Sequence, residues 1–583
     1  MSKDGKDESG AQPAGEQPAE FAAAGEGGLA IQLVRELPGE GRPGARAAKR
    51  IPVKIRDLRP DAKKQLVQKM IPRPLPAPPE RVERALRGLD PHIKRFHGVK
   101  VPLYWLPPTL VRSPCADMFG YMTNDKVRNA SKLPFDATHQ QLLDDLGNLM
   151  GDPGREVNSN STTLPAGLTY FGQFVDHDIT FDVTSTIDTP VDANTIPNMR
   201  RPSLDLDSVY GRGPALDPYL YVFPTSGPAT AVKLLIGTNS PTSTGGPLTA
   251  GATPAMPTDF DVPRAQGTLT AVIGDPRNDE NLIVSQFHHA MLKFHNAVVD
   301  FLVGSSFAGD IFAEAKRIVT HHYQWCVVHD FLLKLCGSTA LNNAITTVVA
   351  PPGSPFRMPV EFAVGAYRFG HSMIRNGYTL NTSLGGVSLA DVFAFVRVPN
   401  LPVLSNWAVD FNMFFNTAHP VANQFNMARK IDSVLAAGLE SIPGGSGIMA
   451  VLASRNLRRG LAFGLPSGQA AASALGAIPL TAAQLTQGLP ANEVALLQSN
   501  GGVLLQKTPL WYYVLREAMV LESGERLGPL GARIVAETFV RLLKRDGDSY
   551  MNVAGFTPSL PSSIPGTFTI ADLLEFAGVL VQP

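Results

Sequence analysis

The sequence predicts a mainly α-helical fold with long loops and little β structure. Three observations lead there. Apolar residues recur with helical period over long stretches, as in Leu282, Ile283, Phe287, Met291, Phe294, Val298 and Leu302. Strand-like alternation is sparse. Stretches crowded with Gly, Pro, Ser and Thr, such as residues 237–267, separate the helical patterns. A chain of 583 residues and 62.4 kDa is long enough to bury a large core.

In chain order, residues 1–40 are rich in Gly, Ala, Pro, Glu and Gln and are expected to form a disordered acidic tail. Residues 41–84 form a basic, Pro-rich arm, with eleven Lys or Arg against two Asp over 41–73. The arm reads as a solvated strap on the body or as a weak contact for an anionic surface. No aromatic interleaving supports nucleic-acid binding. The proline-rich stretch 71–80 is a semi-rigid connector. From residue 85 onward helices dominate. LTYFGQFVDHDITFD (168–182) is amphipathic with helical spacing. Asp275-Pro276 opens the pattern of 282–302, with Asp as N-cap and Pro at the first helical position. Two more helical patterns cover 309–335 and 359–376. The Ala-rich stretch 469–500 has helical propensity and no visible chemistry.

Bulk chemistry narrows the function. The 51 basic and 51 acidic residues cancel, which argues against nucleic acid or an anionic membrane as the main partner. The cysteines are Cys115, Cys326 and Cys336; the last two sit in an apolar helical pattern that favours burial, and no disulfide framework is indicated. The N-terminus has no apolar core of a secretory signal, and no apolar run reaches the length of a membrane span. A soluble protein is expected, cytoplasmic or exported by a non-classical route.

Four segments hold candidate chemistry. In the first, Gln173 and His177 lie one turn apart on one helix face, while Asp176 and Asp178 flank the histidine and point elsewhere. These polar groups sit among Phe171, Phe174, Val175 and Ile179, where burial without a purpose is costly. No HxxxH or CxxC spacing supports zinc. A neutral imidazole in an apolar pocket is suited to moving one proton. In the second, GDPRNDEN (274–281), Arg277 and Glu280 read as a surface ion pair or as a guanidinium aimed into a pocket. In the third, AYRFGHSMI (366–374), His371 follows Gly370 and reads as a helix-interior histidine or as a metal ligand whose ring needs a hydrogen-bond partner. Asn456, within SRNLRRG (454–460), can be that partner. In the fourth, Ser203, Asp205 and Asp207 of RPSLDLDSVYG (201–211) alternate oxygen donors on a turn. They suit Ca²⁺ or are ordinary exposed acids; no Glu closes an EF-hand.

Taken together and in order, these segments resemble the animal-type haem peroxidases of the peroxidase–cyclooxygenase superfamily, over roughly residues 90–560. FGQFVDHD resembles the distal motif, SLDLDSVYG the calcium loop, GDPRNDE the distal-arginine segment, YRFGHSMI the proximal segment and RNLRRGLAFGLP the proximal-asparagine segment. LGPLGARIVAETFVRLLKRDGDSYM resembles the family's C-terminal helix, bacterial members in particular. The resemblance implies the helical haem peroxidase fold and a single catalytic domain over 85–583. It implies haem b and Ca²⁺ as cofactors. H₂O₂ is the implied oxidant, small donors (phenols, iodide, bromide or thiocyanate) the implied substrates, and oxidative stress the implied setting.

Residue by residue, the resemblance makes His177 the distal acid–base, Arg277 its charged partner and Gln173 a member of the distal cavity. His371 becomes the iron ligand and Asn456 its hydrogen-bond partner, with Arg368 and Arg459 facing haem propionates. Asp178, Ser203, Asp205, Asp207 and the carbonyl of Arg201 become the calcium shell. Asp176 and Glu280 match carboxylates that form ester bonds to the haem. Members that oxidise chloride efficiently carry a methionine after that glutamate and form a sulfonium link; Asn281 stands there in this chain. The superfamily's fatty-acid dioxygenases carry a radical-forming tyrosine three residues before the proximal histidine. Here that position is Arg368, with Tyr367 one residue earlier, so peroxidase chemistry is expected over oxygenation. A third reading is a non-catalytic haem-binding module.

Overall fold

The computed structural model describes residues 118–580 apart from 152–159, 183, 240–258, 267–268, 383, 398–401, 420–424 and 443–446, together with two short strand pairs nearer the N-terminus. The chain divides into two compact units, Met1–Glu83 and Arg84–Pro583. In the first, Leu33–Val34 pairs antiparallel with Pro52–Val53. The expected tail and basic arm otherwise lie outside the described residues, as does Cys115. All that follows concerns the second unit.

Helices dominate it. The principal ones are α1 (Ala137–Met150), α2 (Gly167–Ile179), α3 (Leu282–Gly304), α4 (Ile311–Cys326), α5 (Leu333–Thr347), α6 (Leu452–Ala462), α7 (Leu510–Glu522) and α8 (Pro529–Arg545). Among the described residues every sheet has only two strands. Two of these pairs act as anchors for functional segments. β1 (Met118–Gly120) runs parallel to β3 (Arg357–Pro359), which leads into the segment bearing His371. β2 (Asn160–Pro165) pairs antiparallel with β4 (Met427–Arg429) and leads straight into α2, which bears His177.

The helical stretches expected from sequence are present, but three are wound differently. The helix expected from Asp275 is two elements. Asp275 caps a 3₁₀ turn, Pro276–Asp279; the chain then straightens at Asn281, whose side chain accepts from Val284 N–H and caps α3 afresh. Short polar side chains compete with helix continuation in this way. The pattern over 309–335 is α4, a wider π-type turn at Val327–Leu332, and the start of α5. The pattern over 359–376 is a π-type turn, Glu361–Gly365, followed by a 3₁₀ stretch, Ala366–Met373. Gly365, at φ −108° and ψ −96°, joins the two. Such wide turns rotate the faces of a helix relative to its sequence period. Buried Glu361 pins this segment by accepting from Met122 N–H at 2.8 Å, Thr123 N–H at 3.0 Å and the Thr123 hydroxyl at 2.6 Å.

α2 is buried on nearly all sides because its apolar face meets aromatic rings from three elements. Phe171 packs edge-on to Phe287 of α3 and Phe331 of the π-type turn, with centroids 5.4 and 5.3 Å away. Phe174 meets Phe287 at 5.3 Å and Tyr323 of α4 at 6.1 Å. α6, which carries Asn456 and Arg459, lies against α1. Gly147 permits that approach: a Cβ there would sit 2.6 Å from the Ser454 nitrogen and 2.8 Å from its Cα. Trp511 of α7 donates from its indole nitrogen to the Arg368 carbonyl at 3.1 Å and so supports the His371 segment from behind. Cys326 and Cys336 are buried free thiols, as their apolar surroundings predict.

Because Ser454 backbone atoms as well as its hydroxyl would meet the added methyl, Gly147→Ala is expected to lower the unfolding free energy by about 1–3 kcal/mol. Urea denaturation measures this. An unchanged midpoint would mean that α1 and α6 can separate without cost.

Candidate active site

One large cavity opens between α2 and the His371 segment. Its empty space, mouth included, is about 1290 Å³. Gln173, Asp176, Thr180, Glu280 and Asn281 line one side; Tyr367, Arg368, Phe369, Gly370 and His371 line another; Arg459 and Asp182 also face it. The rest of the lining is mainly apolar, including Leu168, Phe331, Leu452 and Phe463.

α2 sorts its polar residues by direction. Gln173, Asp176 and Thr180 recur at helical spacing and face the cavity. The Thr180 hydroxyl donates to the Asp176 carboxylate at 2.7 Å. His177 and Asp178 are fully buried. His177 is not part of the cavity wall. Its Nε2 lies 3.4 Å from Glu280 Oε1, so the Glu280 carboxylate stands between the imidazole and the open space. Gln173 donates from Nε2 to that same oxygen, and Asn281 donates to Gln173 Oε1 at 3.1 Å. The order of this run is forced from one end. The Val284 N–H can only donate, so it takes the Asn281 oxygen and leaves the amide nitrogen for Gln173.

Arg277 departs from the expectation of a guanidinium aimed into the pocket. It is buried behind α2 and does not line the cavity. Its Nη2 donates to the His177 carbonyl at 2.7 Å and its Nη1 to the Thr180 carbonyl at 2.7 Å, closing the C-terminal end of α2. Its Nε and Nη2 also bond Asp275, and the guanidinium stacks 4.2 Å above the Phe181 ring. Arg277 thus fixes the backbone of His177, while Asn278 reaches its ring: Asn278 Oδ1 lies 2.8 Å from His177 Nδ1.

On the opposite side, Asn456 Nδ2 is 2.7 Å from His371 Nδ1, leaving Nε2 for the cavity. Arg368 donates from Nη1 to Asn456 Oδ1 at 2.6 Å and from Nε to the Ala363 carbonyl at 3.2 Å. An arginine has donors only, so it claims the amide oxygen and turns Nδ2 toward His371. In this arrangement Asn456 donates to the ring, the reverse of the polarity that would make the imidazole anionic. Burial, with Arg459 nearby, lowers the Arg368 guanidinium to about 9. Arg459 pairs with Asp182 at 2.6 Å, and its Nε has no hydrogen-bond partner among the described residues.

Behind α2 lies a cluster of acids. Asp178, Asp205 and Asp207 each place a carboxylate oxygen within 4.8 Å of the others. Ser203 Oγ, Asp205 Oδ1 and Asp207 Oδ2 are buried without hydrogen-bond partners, which is the donor set a hard dication would complete. Leu204 and Leu206, at φ 51° and 58°, wind the loop so that alternate side chains point inward. The Arg201 carbonyl accepts from Ser203 N–H at 2.9 Å, and the Arg201 side chain pairs with Asp205. Burial and then the neighbouring acids push Asp178 well above the usual carboxylate range; burial lifts Asp207 to about 6.

Several partners have no motif of their own in the sequence. Arg200 donates to Asp207 at 2.9 Å and to Asp275 at 2.8 Å. Asp275, read from sequence only as a cap, is held below the usual carboxylate range: burial opposes ionisation, but Arg200 and Arg277 override it. Asn278 and His288 also escaped notice. The available signal was a cation beside an acidic turn and polar residues inside an apolar helical pattern.

Comparison with known proteins gives this geometry a family. The family model for the animal haem peroxidase domain matches residues 198–575. The chain belongs to the animal haem peroxidase family. The match begins after α2, so it covers Arg277, His371 and Asn456 but not His177. A peroxidase-like protein of Margaritifera margaritifera is 31% identical over 113 residues, which is 18% of this chain and 14% of that protein. Among solved structures, peroxidase A of Dictyostelium discoideum is similar at a TM-score of 0.55 and 17% identity, covering 80% of this chain and 95% of its own. The fatty acid α-dioxygenase of Oryza sativa is similar at 0.50 and 13% identity, covering 76% and 77%. These structural likenesses show the shared helical fold. The expected affinity to bacterial members gains no support from them.

The acid cluster makes a prediction about pH. Asp178 and Asp207 are raised in the folded state, so their protonated forms favour folding. The Asp207 contribution is present below about pH 4 and is lost as pH rises through about 6; Asp178 acts in the same direction. A bound dication reverses that loss. Calcium should therefore raise the melting temperature over an EDTA control by an amount that grows between pH 4 and 7. A flat difference would show that no dication binds there.

Proposed function

We propose that the chain is a haem peroxidase that uses H₂O₂ to oxidise small donors such as phenols, iodide, bromide or thiocyanate. The observation that supports it most is a pair of histidines each tied at Nδ1 to an asparagine: His371 on the cavity wall with Asn456, and His177, behind the Glu280 carboxylate that lines the cavity, with Asn278.

The residues suit a haem. The cavity is large, mainly apolar between its two polar sides, and has Arg368 and Arg459 available for the carboxylates of a planar macrocycle. His371 Nε2 would hold the iron. A bound haem iron would activate the peroxide and store its oxidising equivalents. Arg368, by pairing with a propionate, would release the Asn456 oxygen to accept from His371 Nδ1 and strengthen the ligand. His177 takes a proton from one peroxide oxygen at Nε2 and returns it to the other. Gln173 Nε2 orients the peroxide or water beside it. Arg277 keeps His177 in place by holding its carbonyl, and its buried charge favours negative charge developing nearby. Asp176 and Glu280 face the cavity as candidate ester partners. Esterification at Glu280 would engage the carboxyl that covers His177 Nε2, so haem attachment and access to His177 are linked. Asp178, Ser203, Asp205 and Asp207 would hold Ca²⁺, with the Arg201 carbonyl completing the shell.

A second reading, fatty-acid dioxygenation, has one observation of its own. Tyr367 lines the cavity and donates its hydroxyl to the Gly172 carbonyl on α2 at 3.1 Å. A phenol in that place is available for radical chemistry on a long apolar substrate.

His177→Ala is expected to slow the reaction with H₂O₂ by roughly 10²–10⁴-fold in stopped-flow absorbance; a near-normal rate rejects its assignment. His371→Ala should lose haem on gel filtration or change the iron's spin state. Oxygen uptake with linoleate that Tyr367→Phe abolishes, together with no peroxide-dependent oxidation of guaiacol or iodide, would replace the peroxidase reading with the dioxygenase.

A further inference from the structure

His177 does not choose its own tautomer. Asn278, fully buried, stands between two imidazoles. Its Oδ1 lies 2.8 Å from His177 Nδ1, and its Nδ2 lies 3.0 Å from Nδ1 of His288 on α3. An amide offers one acceptor end and one donor end. It therefore makes the two rings reciprocal: if one carries hydrogen on Nδ1, the other must leave Nδ1 bare. His288 is fully buried, and its Nε2 has no hydrogen-bond partner among the described residues. Nothing else fixes which nitrogen of His288 carries the hydrogen.

We infer that His288 is a positioning residue that acts through Asn278 to keep hydrogen on His177 Nδ1, so that the nitrogen facing Glu280 and the cavity is the one that exchanges the proton. The geometry supports this direction. With Asn278 oxygen toward His177, the ring keeps Nδ1–H whether or not Nε2 is loaded, and the amide never has to turn. With the amide reversed, a proton arriving at His177 would meet an amide donor, and Asn278 would have to rotate inside a packed core. The fixed orientation is preorganisation of the kind that lowers a barrier without motion. Burial supports it further, because it holds the His288 imidazole down at about 3, and a neutral ring can keep an acceptor at Nδ1. The proposal rests on the peroxidase reading only in giving the proton at Nε2 a use.

The test uses the full chain with ¹⁵N-labelled histidine, whose long-range ¹⁵N–¹H correlations distinguish ring tautomers; His177→Ala and His288→Leu assign the two rings. Wild type should show His177 with hydrogen on Nδ1 and His288 with hydrogen on Nε2. Asn278→Asp puts acceptors at both ends, so His288 should change to hydrogen on Nδ1 while His177 keeps its pattern. His288→Leu should spread His177 over both tautomers, and His288→Asn, which restores an acceptor near the Nδ1 position, should recover the single form. A His288 pattern unmoved by Asn278→Asp, or a single unchanged His177 tautomer in His288→Leu, overturns the inference; the first of these stands even if the leucine variant fails to fold. On haem-loaded protein at fixed pH, cyanide association should slow about tenfold or more in His288→Leu and recover in His288→Asn. If cyanide associates no more slowly with His177→Ala than with wild type, the peroxidase reading fails while the tautomer result stands.

Discussion

A run of four charges, the last three of them buried, holds the site together: Asp207, Arg200, Asp275 and Arg277. Consecutive members contact at 2.9, 2.8 and 2.7 Å. Removing one member would leave its neighbours uncompensated in a low-dielectric interior, a cost of several kcal/mol. The run therefore has to form whole. Once formed, it links the acid cluster to the backbone of His177, because Arg277 spends its remaining donors on the carbonyls of His177 and Thr180. The cluster and the cavity are two faces of one helix, α2, and this chain of ion pairs fastens that helix from behind.

The opposite side of the cavity is built on a different device. His371 sits on a stretch that is helical but never α, with a wide turn followed by a tight one. That winding is held at its start by Glu361 and at its middle by the Trp511 indole. Tyr367 then bridges to Gly172 on α2. Because the two sides are joined by this bridge and by the rings around Phe331, the width of the cavity is set by packing rather than by either segment alone.

Much of this was readable in the residues. The helical class followed from apolar period, and the family followed from five short segments in a fixed order. Residue types within those segments announce their chemistry because a metal ligand, a proton carrier or a hard-cation donor set needs particular atoms. The direction of each side chain was less readable. The spacing of Arg277 and Glu280 suggests a surface ion pair or a pocket-facing cation; the structure sends Arg277 behind α2 and puts Glu280 over His177. The reason is the partners that packing supplies: the guanidinium takes Asp275 and the carbonyls of His177 and Thr180, while the Glu280 carboxylate takes Gln173 beside His177. Arg200, Asn278 and His288 were missed because their significance lies in partners that are distant in sequence.

The sequence by itself determined the helical class and the family, and it displayed the residue types of the candidate site: two histidines in separate motifs and an acidic loop whose oxygens suit a hard dication. These depend on local composition and spacing, which a linear chain displays directly. Only the tertiary structure decided which buried donor meets which acceptor. A buried charge or amide must be satisfied by whatever packing places beside it. That requirement turned Arg277 toward a carbonyl, drew the oxygen of Asn456 toward Arg368, and set Asn278 between His177 and His288.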